Sequence, residues 1–210
     1  MDSLIFTPAD IDKILDSLEE HINKIDKFNN DYDFRIYNEF LSYFSTLDEI
    51  DFHKLAISST YIFGTMPTTS AINSEHFYFA QRILNNNRRN FKELEDNEYL
   101  TLVKCMNNSV IATSKLLHLI YPKSYPAING RIKNYFKSNG LLETVYKKTY
   151  SKEKEIQQYK LYRNICTEII LSERFTHNLH FQALRKMDEN FGYSHYKLLE
   201  QIFYYFGKNI

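Results

Sequence analysis

Apolar residues recur every three or four positions along nearly the whole chain, and no other feature constrains its fold as strongly. Ile11, Ile14, Leu15, Leu18, Ile22 and Ile25 make one such stripe, a single face of a helix with 3.6 residues per turn. Thr7-Pro8-Ala9-Asp10 stands before it. A capping hydroxyl, a first-turn proline and an acid at the third position all suit the unpaired amides of a helix start. Similar stripes predict a helix carrying Phe34, Tyr37, Phe40, Leu41 and Phe44, and another from about Asp51 towards Phe63. Others are expected around Glu75–Leu84, Phe91–Cys105, Ile111–Ile120, Arg131–Phe136, Glu153–Leu171, Phe181–Phe191 and His195–Phe206. No segment alternates with period two between hairpin turns, so β structure is minor. The expectation is an all-α, compact multi-helix globular domain of roughly eight to ten helices.

At 210 residues the chain fits one domain spanning 1–210, either undivided or as two helical lobes, about 1–106 and 107–210, around a cleft. A hydrophobic share of 43% supplies a core and excludes wholesale disorder. Cys105 and Cys166 are the two cysteines, too few for a disulfide scaffold, which points to a reducing, cytoplasmic setting. The opening MDSLIFTPAD has no basic, apolar leader pattern, and no run is long enough to span a membrane. The 17 Tyr and 16 Phe accompany abundant Ile, Asn and Lys, so most rings read as core rather than as stacking platforms.

The formal charge is zero, yet unevenly spread. Residues 1–60 hold 13 acids against 5 bases, whereas residues 121–170 hold 10 bases against 4 acids. Asymmetry of this kind raises nucleic acid as a partner, against the plainer reading of a solvated charged surface.

The richest segment for chemistry runs from Asn107 to Phe136. It contains a turn-prone stretch (Asn107-Asn108-Ser109), a helix with Lys115 and His118 on adjacent turns, and a loop bounded by Pro122 and Pro126. Ile128-Asn129-Gly130 then opens a basic helix with Arg131, Lys133 and Lys137. Asn129 is a good capping type, and a helix N-terminus with added cations suits a phosphate.

This order, Ala112-Thr113-Ser114-Lys115 with His118, then Tyr125-Pro126-Ala127-Ile128-Asn129-Gly130-Arg131-Ile132, resembles degenerate members of the helix-hairpin-helix DNA glycosylase superfamily. The resemblance covers about 30 of the 210 residues. It implies hydrolysis of the N-glycosidic bond of a flipped-out, damaged or modified base, leaving an abasic site, in repair or in antiviral defence against phages with modified DNA. The implied partner is DNA, double-stranded and carrying such a base, with no membrane, no metal and no cofactor. The implied catalytic set is Asn129, Lys115 and His118, with Glu75 as a carboxylate; the backbone contacts are Asn108, Ser109, Arg131, Lys133 and Lys137. The loop Gly64–Ser70 with Tyr61, Phe63, Thr65 and Tyr78 is assigned to the base pocket, against a plain surface loop.

Two departures from the family pattern stand out. Asn107-Asn108-Ser109-Val110 replaces the glycine-rich hairpin, and Asn129 occupies the aspartate position. An anion stabilises an oxocarbenium-like sugar far better than an amide does. Three outcomes follow: another carboxylate such as Glu75 or Glu143 serves, Asn129 orients water for a good leaving group, or catalysis is lost and a DNA-binding or protein-interaction module remains. The short Lys115–Asn129 interval argues against a Schiff base on Lys115. A third reading comes from Arg174 and His180, whose spacing is similar to the Arg-x4-6-His motif of HEPN ribonucleases, although Phe175 follows the arginine. His177 and His180 have a spacing compatible with metal ligation, but no Cys or second His pair accompanies them.

Overall fold

The computed structural model describes residues 6–25, 34–45, 48–66, 73–90, 93–186 and 194–207. Among the described residues there are eleven α-helices and no strand. They are α1 (Pro8–Asn23), α2 (Phe34–Ser45), α3 (Phe52–Gly64), α4 (Phe77–Asn90), α5 (Asp96–Cys105) and α6 (Val110–Ile120). The chain continues through α7 (Gly130–Ser138), α8 (Glu143–Tyr146), α9 (Lys152–Leu171), α10 (His180–Lys186) and α11 (His195–Phe206). A 3-10 turn, Ser74–His76, leads into α4, and a π-turn, Phe175–Leu179, leads into α10. The tally exceeds ten because α8 is a single turn with no apolar period of its own. The helix expected from Phe91 starts instead at Asp96, where Glu95 and Glu98 form a capping box; Phe91 lies outside the described residues, as do residues 187–191 of the helix expected after Phe181.

Local chemistry accounts for most helix starts. Asp10 accepts from the Thr7 amide at 2.8 Å while Thr7 Oγ1 accepts from the Asp10 amide at 3.3 Å. The bond from the Thr7 amide is the main reason the Asp10 carboxyl lies below its ordinary pKa. Side chains of Asp51, Ser109, Asn129, Ser151 and Ser194 cap α3, α6, α7, α9 and α11 in the same way. α7 ends where Gly140 turns left-handed at φ 62°. There Leu141 N–H reaches Phe136 O and Gly140 N–H reaches Lys137 O, the paired bonds of a Schellman stop.

Helix α6 packs against α2, α3, α5 and α9, which places the Lys115–His118 face among four neighbours. Helices α7, α8, α9 and α11 pack on one another, and α1 joins them rather than its sequence neighbours, lying on α9, α11 and the π-turn. One core cluster runs from Ile11 to Phe206. Arg174 clips α1 in place through Asp16 at 2.8 Å and Glu19 at 3.0 Å. Gly207, just past α11, lies so close to the Arg131 carbonyl that a Cβ there would stand 1.9 Å from its oxygen. Both cysteines are free and buried. No helix among the described residues is long and apolar enough to cross a membrane.

Candidate functional site

Helices α5 and α6 are joined by Met106–Ser109, and the turn is made by two consecutive left-handed residues, Asn107 (φ 53°) and Asn108 (φ 55°). Asparagine tolerates this region better than other residues bearing a Cβ, so the pair supplies the geometry that glycines commonly provide. Ser109 Oγ then accepts from the Ala112 amide at 3.1 Å and starts α6. Beside the turn lies a cleft of about 250 Å³, lined among others by Ser109, Val110, Ile128, Lys133, Lys152 and Gln158. Lys152 pairs with Glu155 at 2.8 Å. The Lys133 ammonium has its pKa lowered by burial, with the Glu155 charge opposing that shift.

The loop leading to Asn129 is buried from Tyr125 through Ile128, and its four carbonyls from Ser124 to Ala127 all find side-chain donors. Arg163 Nε donates to Ser124 O at 3.0 Å, His118 Nδ1 to Tyr125 O at 2.7 Å and Tyr159 OH to Pro126 O at 2.9 Å. Tyr162 OH donates to Ala127 O at 3.4 Å. Ser114 Oγ accepts from the Ile128 amide at 3.1 Å and gives its own proton to Ile111 O at 2.8 Å. A buried loop must pair its backbone in this way or lose the desolvation energy of each group. The loop thus delivers Asn129 to one place, with its Oδ1 accepting from the Ile132 amide at 3.1 Å to cap α7.

Lys115 and His118 point into a polar cluster between α2, α6 and α11. His118 is fully enclosed. Because Nδ1 donates to a carbonyl, Nε2 is the acceptor of a hydrogen bond from the Tyr37 hydroxyl at 2.5 Å. Burial pushes its pKa down to about 4, so the ring is neutral and serves to hold the loop rather than to reach a phosphate. Lys197 and Glu200, 5% and 6% exposed, form a buried ion pair with both carboxylate oxygens at 3.0–3.1 Å from Nζ. The same ammonium sits 4.4 Å from the centre of the Tyr37 ring. Lys115 Nζ donates to Thr65 Oγ1 at 3.0 Å. Burial lowers its pKa, while the Glu200 charge raises it and Lys197 opposes that.

The structure therefore brings Lys115 together with Thr65 and the Tyr37–His118–Lys197–Glu200 cluster, and Asn108 and Ser109 together with Lys133. Glu75 is exposed on the 3-10 turn, its amide donating to Asn73 Oδ1, and Glu143 is an exposed partner of Lys147. Neither is the carboxylate coupled to Lys115; Glu200 is. Tyr61 stacks on Phe40 at 3.9 Å, Phe63 is core, and Tyr78 is 63% exposed beside Arg82. Of the residues assigned to the base pocket, Thr65 meets Lys115, and residues 67–70 of that loop lie outside the described residues. The Arg131 guanidinium lies over the Tyr204 ring at 4.4 Å, and Lys137 is exposed at the end of α7. Arg174 is engaged by α1, and His180 faces His195 with ring centres 4.8 Å apart. Among the described residues no group of three or more His, Cys, Asp or Glu could hold a metal.

Sequence reasoning missed Glu200 and Lys197, which stand in YKLLEQ where a solvated helix face is the natural reading. It also missed Tyr159, Tyr162 and Arg163, whose i, i+3, i+4 spacing on α9 was the available signal. Set against known family models, curated proteins and solved structures, the chain finds no match.

Proposed function

We propose that the protein is a helix-hairpin-helix DNA glycosylase-like hydrolase that grips DNA and releases a damaged or modified base as a flipped-out nucleotide. The observation that carries this reading is the loop Ser124–Ile128, held by side chains of α6 and α9, which fixes Asn129 at the start of α7 beside the α5–α6 hairpin. Five side chains committed to one short loop are a costly arrangement for a mere connection, and an ordinary one for a group that must be held in register with a substrate. The cations Arg131 and Lys137 of α7 suit the sugar-phosphate backbone.

In this reading water attacks the anomeric carbon as the C1′–N bond breaks, and the departing base takes up a proton. Lys115 lies at the edge of the polar cluster, where the Glu200 charge favours its protonated form. Incubating duplexes bearing varied base modifications and treating them with alkali should reveal strand breaks with one or more of them. Lys115→Ala should reduce the yield by on the order of tenfold or more, the usual range for a positioned acid–base or electrostatic group. Intact protein that yields no alkali-labile site on any modification removes the enzyme reading.

One observation favours a second reading, a non-catalytic DNA-binding module on the same scaffold. Asn129 Oδ1 is already spent on the Ile132 amide and Glu200 on Lys197. DNA binding with a steep salt dependence and no product would support it.

A further inference from the structure

The cleft beside the hairpin contains two polar groups left without partners, and they ask for opposite things. Lys133 Nζ makes no hydrogen bond or ion pair among the described residues, although burial lowers its pKa. Gln158 is only 8% exposed and its Oε1 is buried with no hydrogen-bond partner. The identity of that orphan atom is settled by the other end of the amide: Nε2 donates to Lys147 O at 2.7 Å, and a flipped amide would set oxygen against oxygen. Around them, the first amides of α6 at Val110 and Ile111 have no intrahelical acceptor, Lys152 is neutralised by Glu155, and Tyr159 OH is committed to Pro126 O. An occupant must therefore be an anion for Lys133 and the α6 amides while carrying a hydrogen-bond donor for Gln158 Oε1.

We infer that this cleft is a binding site for a phosphate monoester, with Lys133 and the α6 N-terminus on the anionic oxygens and Gln158 accepting from the P–O–H. An internal phosphodiester has the charge but no donor. The singly ionised monoester has both, and one net cation with a helix N-terminus matches one negative charge better than two. A volume of about 250 Å³ admits the phosphate with the first atoms of its ester group. The inference goes beyond base release, since neither a modified base nor Asn129 takes part. Two sources share this chemistry: a free phosphorylated small molecule and the terminal phosphate of a nucleic acid strand.

Calorimetric titration of the intact protein with methyl phosphate and with dimethyl phosphate, at about pH 6 where the monoester keeps much of its proton, tests the site. Methyl phosphate should bind on the order of tenfold more tightly, the value of one hydrogen bond to a charged group. Gln158→Leu and Gln158→Met should erase the preference, and Lys133→Met should weaken both esters. The preference should shrink as pH rises above the monoester's second ionisation near about 6, because the donor is lost. In the unaltered protein, the Gln158 side-chain amide resonances should move with methyl phosphate and not with dimethyl phosphate, a readout that needs no variant to fold. A 5′-phosphorylated oligonucleotide displacing methyl phosphate where its 5′-hydroxyl counterpart fails identifies a strand end; equal failure of both leaves a small-molecule ester as the occupant, the methyl phosphate preference standing. Equal affinity for the two methyl esters, absence of binding by either, or a preference that survives both Gln158 variants overturns the inference. No base release is read here, so an inactive glycosylase leaves the result intact.

Discussion

His118 shows how one enclosed side chain sets a pH limit on the whole fold. Its imidazole is held neutral, with a pKa of about 4 against an ordinary 6.5. Between those values the unfolded chain binds a proton that the native ring refuses, so stability from this residue is complete above about pH 6.5 and is lost as pH falls towards 4. The loss amounts to about 3 kcal/mol. Urea unfolding at several pH values should show the intact protein weakening over this interval, while His118→Gln, less stable near neutrality, lacks that part of the slope. The buried Lys197–Glu200 pair makes a second residue-scale prediction. Lys197→Met alone should cost roughly 3–5 kcal/mol by stranding the Glu200 charge, and Lys197→Met with Glu200→Leu should regain much of it, as read by denaturant midpoints. His118 was legible from sequence as a residue of interest, because a histidine one turn beyond Lys115 is conspicuous. Lys197 and Glu200 were not: their neighbours Tyr196, Leu199 and Ile202 already account for one apolar face, and only the assembled fold reveals that Leu198 and Gln201 are covered as well.

At the scale of elements, boundaries were readable wherever a side chain makes the cap. Thr7, Asp51, Ser109, Asn129, Ser151 and Ser194 each mark a start by hydrogen bonds within three residues, and such information is local. What sequence could not convey was the purpose of the Tyr121–Ile128 stretch. Its prolines read as punctuation, whereas Tyr125–Ile128 is buried and the loop is held by donors from α6 and α9, the latter more than thirty residues further along. The α5–α6 turn lacks glycines and for that reason hides its shape, since asparagine is common in every kind of turn. The left-handed φ of Asn108 predicts a clear hierarchy. Asn108→Gly should leave thermal stability nearly unchanged, whereas Asn108→Val should cost about 1–2 kcal/mol, because a β-branched side chain fits this region worst. Differential scanning calorimetry of the two variants distinguishes the outcomes.

For the whole molecule, the zero net charge conceals a polarity that the fold partly neutralises and partly keeps. Asp16 and Glu19 of the acidic first helix are drawn into the Arg174 contact, and Asp96 and Glu93 meet Lys160 and Arg163. Lys137 remains exposed on α7, within the basic stretch 121–170. If DNA lies there, Lys137→Ala should weaken binding evenly across sequences and lower the slope of log affinity against log salt by about 1, the signature of one phosphate contact. Filter binding over a salt series measures it. The docking of α1 on α9, α11 and the π-turn has a further consequence, in the order of events during synthesis. Ile11, Ile14, Leu15, Leu18 and Ile22 are made well before their partners, since the surfaces that cover them lie some 150 residues later in the chain. At the roughly 5–20 residues per second of translation, that apolar stripe waits about 8–30 s for its partners. The nascent chain must therefore shelter α1, by chaperone or by provisional contacts, until α9 and α11 arrive.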